Sequence, residues 1–296
     1  MTHYGTIVVC GGGCYGGYYV RQLARARHAG ALTMDRILVV DQRADCRVAL
    51  LVAAIEQNDA AGFATHGWQM VRGDASEVGH ADEPGYHGLP ITFVESAWAP
   101  FFARWFAEAV SAPALASRDA VVPSPLMPHL LSDWVEARVV THRPDAVVSR
   151  VPMRASITTP WKRDAPDLAV YASFATWMCP INCIEPPRCP ETRGPRDWTM
   201  PIAVQQAVAA AAAAGATYDV VALFRTTHRA YGVGMFDVTD AIHADAGIVE
   251  LAHRPTLRLL VGSVSHCHGA LAELACGEPH TSSSATAEPV AGRLVP

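Results

Sequence analysis

The sequence predicts an α/β protein: a parallel-sheet domain over residues 1–145, a second α/β domain with a cysteine-rich loop over 146–276, and a disordered tail over 277–296. Three observations carry this. Near the N-terminus a β-branched run leads into a glycine cluster and then a helix. Through the second half, strand-length apolar segments alternate with helix-length ones, the arrangement that parallel pairing needs. From Gly277 the chain turns to Glu, Pro, His, Thr, Ser and Ala, with little to bury. The chain has 296 residues, 50% hydrophobic and 17% charged, enough for two such units.

Gly5 to Cys10, with Thr6, Ile7, Val8 and Val9 in sequence, reads as a buried strand. Gly11, Gly13 and Gly16 then fit G-x-G-x-x-G, and Tyr18 to His28 follows as a helix with Val20, Leu23 and Ala24 at helical spacing. The next strand, Ile37 to Asp41, ends in an acid. Each part has a physical task. Gly11 permits a tight turn, Gly13 lets a pyrophosphate approach the backbone, and Gly16 lets the helix pack close to the strand. The helix N-terminus offers N–H groups and partial positive charge to phosphate. Asp41 is suited to accept from both ribose hydroxyls and to repel a 2′-phosphate, although the nearby Arg43 blurs that lean from NADP towards NAD.

Through Gly11, Gly13, Gly16 and Asp41 the chain resembles the Rossmann-type NAD(P)-binding family over about its first 75 residues. The resemblance implies a dinucleotide, NAD or NADP, held by those four residues. The segment Gly73-Asp74-Ala75 is similar to one in the TrkA-N subgroup, whose members bind nucleotides as regulators. The bland alternative is a structural strand–helix turn with no ligand.

Leu89 to Val94 is the next strand and Ala97 to Val110 a helix whose Trp98, Phe101, Phe102, Trp105 and Phe106 form an aromatic stripe, read as core or a dimer face. That stripe leaves a homodimer open. Ala120 to Val122 reads as a strand, Pro123, Pro125 and Pro128 as a rigid loop, and His129 to Val139 as a helix.

In the second half the expected strands are Leu168–Phe174, Asp219–Phe224 and Leu257–Val264, and the expected helices are Met200–Ala214, Val238–Glu250 and a closing helix to Cys276. Parallel strands put their carboxyl ends on one sheet edge, so three loops rich in chemistry should meet there. The first carries Cys179, Cys183 and Cys189 at C-x3-C-x5-C spacing, stiffened by Pro180, Pro186, Pro187 and Pro190. The second is Arg225-Thr226-Thr227-His228-Arg229, and the third Ser265-His266-Cys267-His268-Gly269.

Three thiols in a proline-braced loop suit a soft metal or an iron–sulfur cluster. Cys267 is the expected fourth ligand, ahead of His266, His268 and His228. The spacing matches neither a ferredoxin run nor a C-x2-C knuckle, and [4Fe–4S] is favoured slightly over zinc. The alternative is a disulfide within the loop, or buried thiols. His228 or His266 is the proton-transfer candidate, because imidazole titrates near neutrality. Arg225 is the candidate for neutralising an anionic small-molecule substrate. In an alternate run His266 and His268 share one side and Cys267 the other. The bland reading of the arginines is ion pairing with Glu185, Glu191 or Asp237.

The expected function is an NAD(P)-linked oxidoreductase with a cysteine-ligated metal centre. The alternatives are a non-catalytic nucleotide-binding redox or metal sensor, which Gly73-Asp74-Ala75 favours, and a zinc-dependent hydrolase or lyase. A net charge of -5 argues against nucleic acid as a partner. The longest apolar run, Ala207 to Ala214, is far short of a membrane span, and no secretory signal is visible, so the expected location is the cytoplasm.

Overall fold

A computed structural model describes residues 2–57, 62, 88–124, 129–176 and 183–277. Cys179, the Gly73-Asp74-Ala75 segment, Pro125, Pro128 and the tail beyond Gly277 lie outside the described residues. The protein is mixed α/β with two mixed sheets.

The first sheet begins with β1 (Thr2–Cys10), β2 (Leu32–Asp41), β3 (Ile91–Glu95) and β4 (Ala120–Val122), with α1 (Cys14–His28) and α2 (Arg47–Glu56) between the early strands. These four strands run parallel in the order β3-β2-β1-β4. A hairpin from the second half, β9 (Thr227–Ala230) and β10 (Val233–Asp237), completes the sheet beyond β4. β10 pairs antiparallel with β4 and with β9, so the expectation of a wholly parallel sheet is corrected here. The reason lies in the connection. β10 follows β9 through a two-residue turn, Tyr231-Gly232, with both residues at positive φ, and so short a link permits only antiparallel pairing.

The second sheet has the order β6-β7-β12-β11-β8, from β6 (Trp161–Asp164), β7 (Val170–Ser173), β8 (Val220–Arg225), β11 (Leu257–Val264) and β12 (His268–Gly277); β5 (Val147–Val151) also pairs with β12. Only β8 and β11 are parallel. The expected closing helix to Cys276 is instead the strand β12, antiparallel to β11 on one side and to β5 and β7 on the other. Ala, Leu and Glu favour a helix locally. A strand covered on both faces, however, shows a continuous apolar run that periodicity cannot distinguish from a buried helix. The hairpin is fixed by Ser265, whose N–H donates to the His268 carbonyl at 2.8 Å and whose hydroxyl accepts from the N–H groups of Cys267 and His268.

Direction nevertheless survives the change of pairing. β7 and β11 are each antiparallel to β12, and β8 is parallel to β11. The carboxyl ends of β7, β8 and β11 therefore share one edge.

The layers follow from which faces are apolar. Three helices, α3 (Trp98–Ser111), α5 (Leu130–His142) and α7 (Val238–Leu251), lie between the sheets, with the short α4 (Pro113–Ala116) linking α3 to β4. One continuous apolar cluster joins Val8, Val121 and Phe236 of the first sheet, Phe102, Phe106, Trp134 and Ile248 of the helices, and Phe224, Leu259 and Leu274 of the second sheet. The aromatic stripe is thus core: Phe101, Phe102, Trp105 and Phe106 are buried, while Trp98 stays at the rim. The outer face of the first sheet packs on α1 and α2, and that of the second on α6 (Met200–Ala213).

A buried polar knot fastens β12. Glu273 is fully buried and accepts from the Arg154 backbone N–H at 2.8 Å, its Nε at 2.7 Å and the Tyr218 hydroxyl at 2.7 Å. Burial, reinforced by the Glu273 carboxylate, pushes the Tyr218 hydroxyl up to about 12. Glu273→Ala leaves three donors without an acceptor, and is expected to cost about 2–3 kcal/mol. Urea unfolding of the variant beside Cys10→Ala measures it; a loss no larger than that of the small core truncation would make the knot incidental.

Candidate functional site

The first constellation sits at the carboxyl edge of β1 and β2. Gly11 leaves β1 at φ +92, a conformation that L side chains rarely adopt, and its N–H donates to the Val40 carbonyl at 2.8 Å. Gly12 is held from both sides. Its N–H donates to Asp41 Oδ2 at 2.7 Å and its carbonyl accepts from Val48 N–H at 2.9 Å, docking the start of α2 on the loop. Asp41 Oδ1 accepts from Arg43 N–H at 3.0 Å. Each carboxylate oxygen keeps a second lone pair for a further donor. The Trp98 indole N–H donates to the same Val40 carbonyl at 2.8 Å, with its ring over Gly11.

The glycines differ in what they allow. A Cβ on Gly16 would lie 1.8 Å from the Gly11 carbonyl oxygen, so helix α1 and the end of β1 are in backbone contact there. A Cβ on Gly13 would meet nothing within 4 Å. Gly13 caps α1 with no side-chain cap, and the first turn carries no acid. The α1 N-terminus thus opens beside Gly13 without an acid in its own first turn, although the Asp41 carboxylate sits at the neighbouring Gly12 N–H. Arg43 is turned aside: its Nε and Nη2 bind the two Asp45 carboxylate oxygens, both at 3.0 Å. Cys10 and Cys46 are buried and packed as small apolar residues, and burial pushes the Cys10 thiol up to about 12. Cys14 is exposed.

The second constellation lies where β7, β8 and β11 end. Phe174 N–H donates to the Cys267 carbonyl at 3.0 Å, Met200 N–H to His266 at 2.8 Å and Thr226 N–H to Val264 at 2.8 Å, so the residues flanking the cysteine loop are bonded to the third loop, and the second loop to the end of β11. Cys267 is buried, and its sulfur accepts from Arg196 Nη1 at 2.6 Å and from the Trp198 indole N–H at 3.5 Å. Trp198 is fixed by stacking on Phe174, centroids 5.8 Å apart. The other guanidinium nitrogen of Arg196 reaches Cys183 Sγ at 3.9 Å, while its Nε donates to Pro186 O at 2.9 Å. One arginine thus spans two of the expected thiols.

Cys189 occupies a tight turn in the same loop. Its N–H donates to Gly194 O at 3.0 Å and its carbonyl accepts from Arg193 N–H at 2.9 Å. Burial works against ionising its thiol, but hydrogen bonds from the Thr192 backbone and hydroxyl and the Glu191 backbone, with the charge of Arg196, hold it below the usual thiol range.

The histidines separate. The ring of His268 bonds the Thr176 carbonyl through Nε2 at 2.6 Å. His228 Nε2 faces Glu185 Oε1 at 3.9 Å, and its Nδ1 is buried without a partner among the described residues. Glu185 holds φ at +53, a left-handed conformation costing a non-glycine residue about 1–2 kcal/mol. Burial first, with the charge of Arg196, holds both rings below the usual imidazole range, and Glu185 opposes this at both. His266 Nε2 is also buried without a partner among the described residues. The expected alternation of His266, Cys267 and His268 is corrected: residues 265–267 form a turn, which breaks the two-residue period, and Cys267 and His268 both meet the cysteine-loop side.

Arg225 is not brought into this cluster. It is exposed at the end of β8, and its backbone N–H donates to Asp240 Oδ2 at 2.9 Å. Arg229 pairs with Asp237 at 2.6 and 2.8 Å, the bland reading of that arginine. Among the described residues no group of three or more His, Cys, Asp or Glu side chains is placed to hold a metal ion. Sequence reasoning missed Arg196, Trp198 and the Glu185–His228 pairing. Nothing in C-x3-C-x5-C spacing marks an arginine seven residues past the last cysteine.

Residues 131–277 match the family model described as "AF_1314_C: Uncharacterized protein, C-terminal domain". This stretch holds the second sheet, the cysteine loop and the β9–β10 hairpin. Comparison with curated proteins and with solved structures gives no match. No described helix is long and apolar enough to cross a membrane.

Proposed function

We propose that the chain is an NAD(P)-linked oxidoreductase, in which a Rossmann-type first sheet binds the dinucleotide and the cysteine loop forms a thiolate metal centre beside its reacting end. The observation that carries this is the strand order. The glycine loop follows β1, Asp41 ends β2 on one side of it, and β4, β10 and β9 lie on the other. A dinucleotide with its pyrophosphate on the open face of Gly13 and one ribose on Asp41 extends its other half across β4 towards β9. β9 is three strand spacings from β1, about 14 Å. His228 on β9 lies on that path, with Glu185 of the cysteine loop 3.9 Å from its Nε2.

The bound dinucleotide supplies hydride transfer. The chain's own residues would do the rest. His228, whose imidazole burial holds below its usual range, is the candidate proton acceptor, with Glu185 near Nε2 to stabilise the charge. An anionic substrate group that pairs with Arg225 would lie outside this cluster, at the exposed end of β8. Cys183, Cys189 and Cys267, completed by Cys179, would hold the metal, with [4Fe–4S] favoured slightly over zinc.

Calorimetry with NAD(H) and NADP(H) tests the dinucleotide half. NAD(H) is expected to bind more tightly, since Arg43 is occupied by Asp45 and Asp41 repels a 2′-phosphate. Asp41→Ala should weaken NAD(H) about tenfold, roughly one charged hydrogen-bonding group, and affect NADP(H) less. No binding of either at millimolar concentration would refute the oxidoreductase reading.

A further inference from the structure

We propose that Trp98 is the wall on which the purine base of the bound nucleotide stacks, the one part of that half of the dinucleotide which the glycine loop and Asp41 do not hold. The inference rests on the dinucleotide half of the reading above and adds to it a base subsite.

The place of Trp98 follows from the strand order. β3 lies beside β2, and Asp41 and Glu95, which end these two strands, are register partners. Within two residues the chain enters α3, whose first residue is Trp98. The turn between is tied down over β2. Ser96 N–H donates to the Asp41 carbonyl at 2.9 Å, and the Trp98 indole N–H to the Val40 carbonyl at 2.8 Å. The six-membered ring of the indole lies against Gly11. Its Cζ2 and Cη2 stand 3.3 and 4.0 Å from the point that a Cβ on Gly11 would occupy, and Asp41 Oδ2 stands 3.9 Å from the same point. The aromatic ring and the carboxylate therefore flank one glycine.

That juxtaposition suits a nucleoside. A ribose bonded to Asp41 carries its base one glycosidic bond away, beside the ring. The other half of the dinucleotide runs towards β9, so the base on this ribose is the purine. Stacking on an aromatic side chain needs no particular hydrogen-bonding edge, because every base has a π-face. A ring already fixed in orientation also has little rotamer freedom to lose on binding. Trp98 differs here from the rest of its helix. Phe101, Phe102, Trp105 and Phe106 are buried in the core, whereas Trp98 is only partly buried, at the carboxyl edge. Its indole N–H is spent on setting the direction of the ring. The indole N–H of Trp134, inside the core, has no partner among the described residues.

The test is calorimetry with NAD(H), AMP and ribose phosphate on wild type, Trp98→Phe and Trp98→Leu, with the melting temperature of each ligand-free protein as control. A titration with etheno-AMP, whose emission falls when its base stacks on an indole, runs beside it. Trp98→Leu is expected to weaken AMP and NAD(H) about 10–100-fold. Trp98→Phe keeps an aromatic face and should lose less than about tenfold. Neither should alter the binding of ribose phosphate, which has no base. Wild type should quench etheno-AMP and Trp98→Leu should not. Equal AMP affinity in wild type and Trp98→Leu, or binding of etheno-AMP to wild type without quenching, would overturn the subsite while leaving the glycine loop as the nucleotide site. Equal weakening of AMP and ribose phosphate in Trp98→Leu, with a large fall in melting temperature, would reduce Trp98 to a prop under the loop. Binding of neither NAD(H) nor AMP by wild type would remove the dinucleotide reading and this inference with it.

Discussion

Gly13→Val is expected to abolish dinucleotide binding while keeping the stability of the wild type to within about 1 kcal/mol, and Gly16→Ala to lose about 3 kcal/mol of stability. The two glycines are three residues apart and belong to one motif, yet their surroundings make opposite demands. At Gly13 the space beyond the α-carbon is open, and φ is -77, which a valine can adopt. A branched side chain would fill the spot that the N-terminus of α1 offers to phosphate, and disturb nothing else. At Gly16 the added methyl would lie 1.8 Å from the Gly11 carbonyl oxygen. That oxygen belongs to the backbone, so it cannot rotate away. Relief requires prying α1 from the end of β1, where Gly11, Gly12 and Asp41 are already tied by short hydrogen bonds. Urea unfolding gives the stabilities and calorimetry with NAD(H) the binding. A Gly13→Val protein that binds as wild type does would take the pyrophosphate away from this loop. A Gly16→Ala protein of undiminished stability would mean that the helix and strand can separate at little cost.

The N-terminal elements of the first sheet, β1, α1 and β2, are legible because their signals are local. β-branched runs, a glycine cluster and an acid closing the next strand each say what they are within a few residues. The strands β9 and β10 were not legible, since their place is decided at a distance. Val233 and Met235 read as apolar, but only docking beside β4 makes them strand, and the preceding Arg-Thr-Thr-His-Arg run looks like a loop. β12 failed for a different reason: its Ala-Leu-Ala-Glu-Leu-Ala core has helix formers at every position, and burial on both faces overrode them. Of the second constellation, the meeting of three loops was argued from strands all running one way. The loops do meet, although β12 lies between β7 and β11. What stayed hidden were the partners of the thiols. Arg196 and Trp198 carry no spacing signature, and an arginine bonding to sulfur is visible only once the chain has folded back on itself.

Removal of single cysteines is expected to divide six of the eight into two groups. Cys183→Ala and Cys267→Ala should each lose most of the bound metal in anaerobic preparations, as should Cys179→Ala and Cys189→Ala, whereas Cys10→Ala and Cys46→Ala should keep it. The physical ground is that chelation by a shared centre is cooperative. A lone thiolate binds weakly, so the loss of one ligand from a set of four costs far more than a quarter of the affinity. Cys10 and Cys46 have neither the donors nor the company. The first is packed between the first sheet and the helix layer with its thiol pushed up to about 12, and the second lies under Gly12. Cys267 and Cys183 share the guanidinium of Arg196, and Cys189 has backbone donors of its own in the adjoining turn. Metal analysis with absorbance decides between the readings, since a brown protein points to iron–sulfur and a colourless one to zinc. Full occupancy in Cys183→Ala would sink the shared centre. Retention of metal in Cys267→Ala alone would make the three cysteines of the loop sufficient and leave Cys267 to face a substrate. In that case the short contact from Arg196 would serve a reactive sulfur instead of a ligand, and loss of NAD(P)H turnover with the metal retained would be its signature.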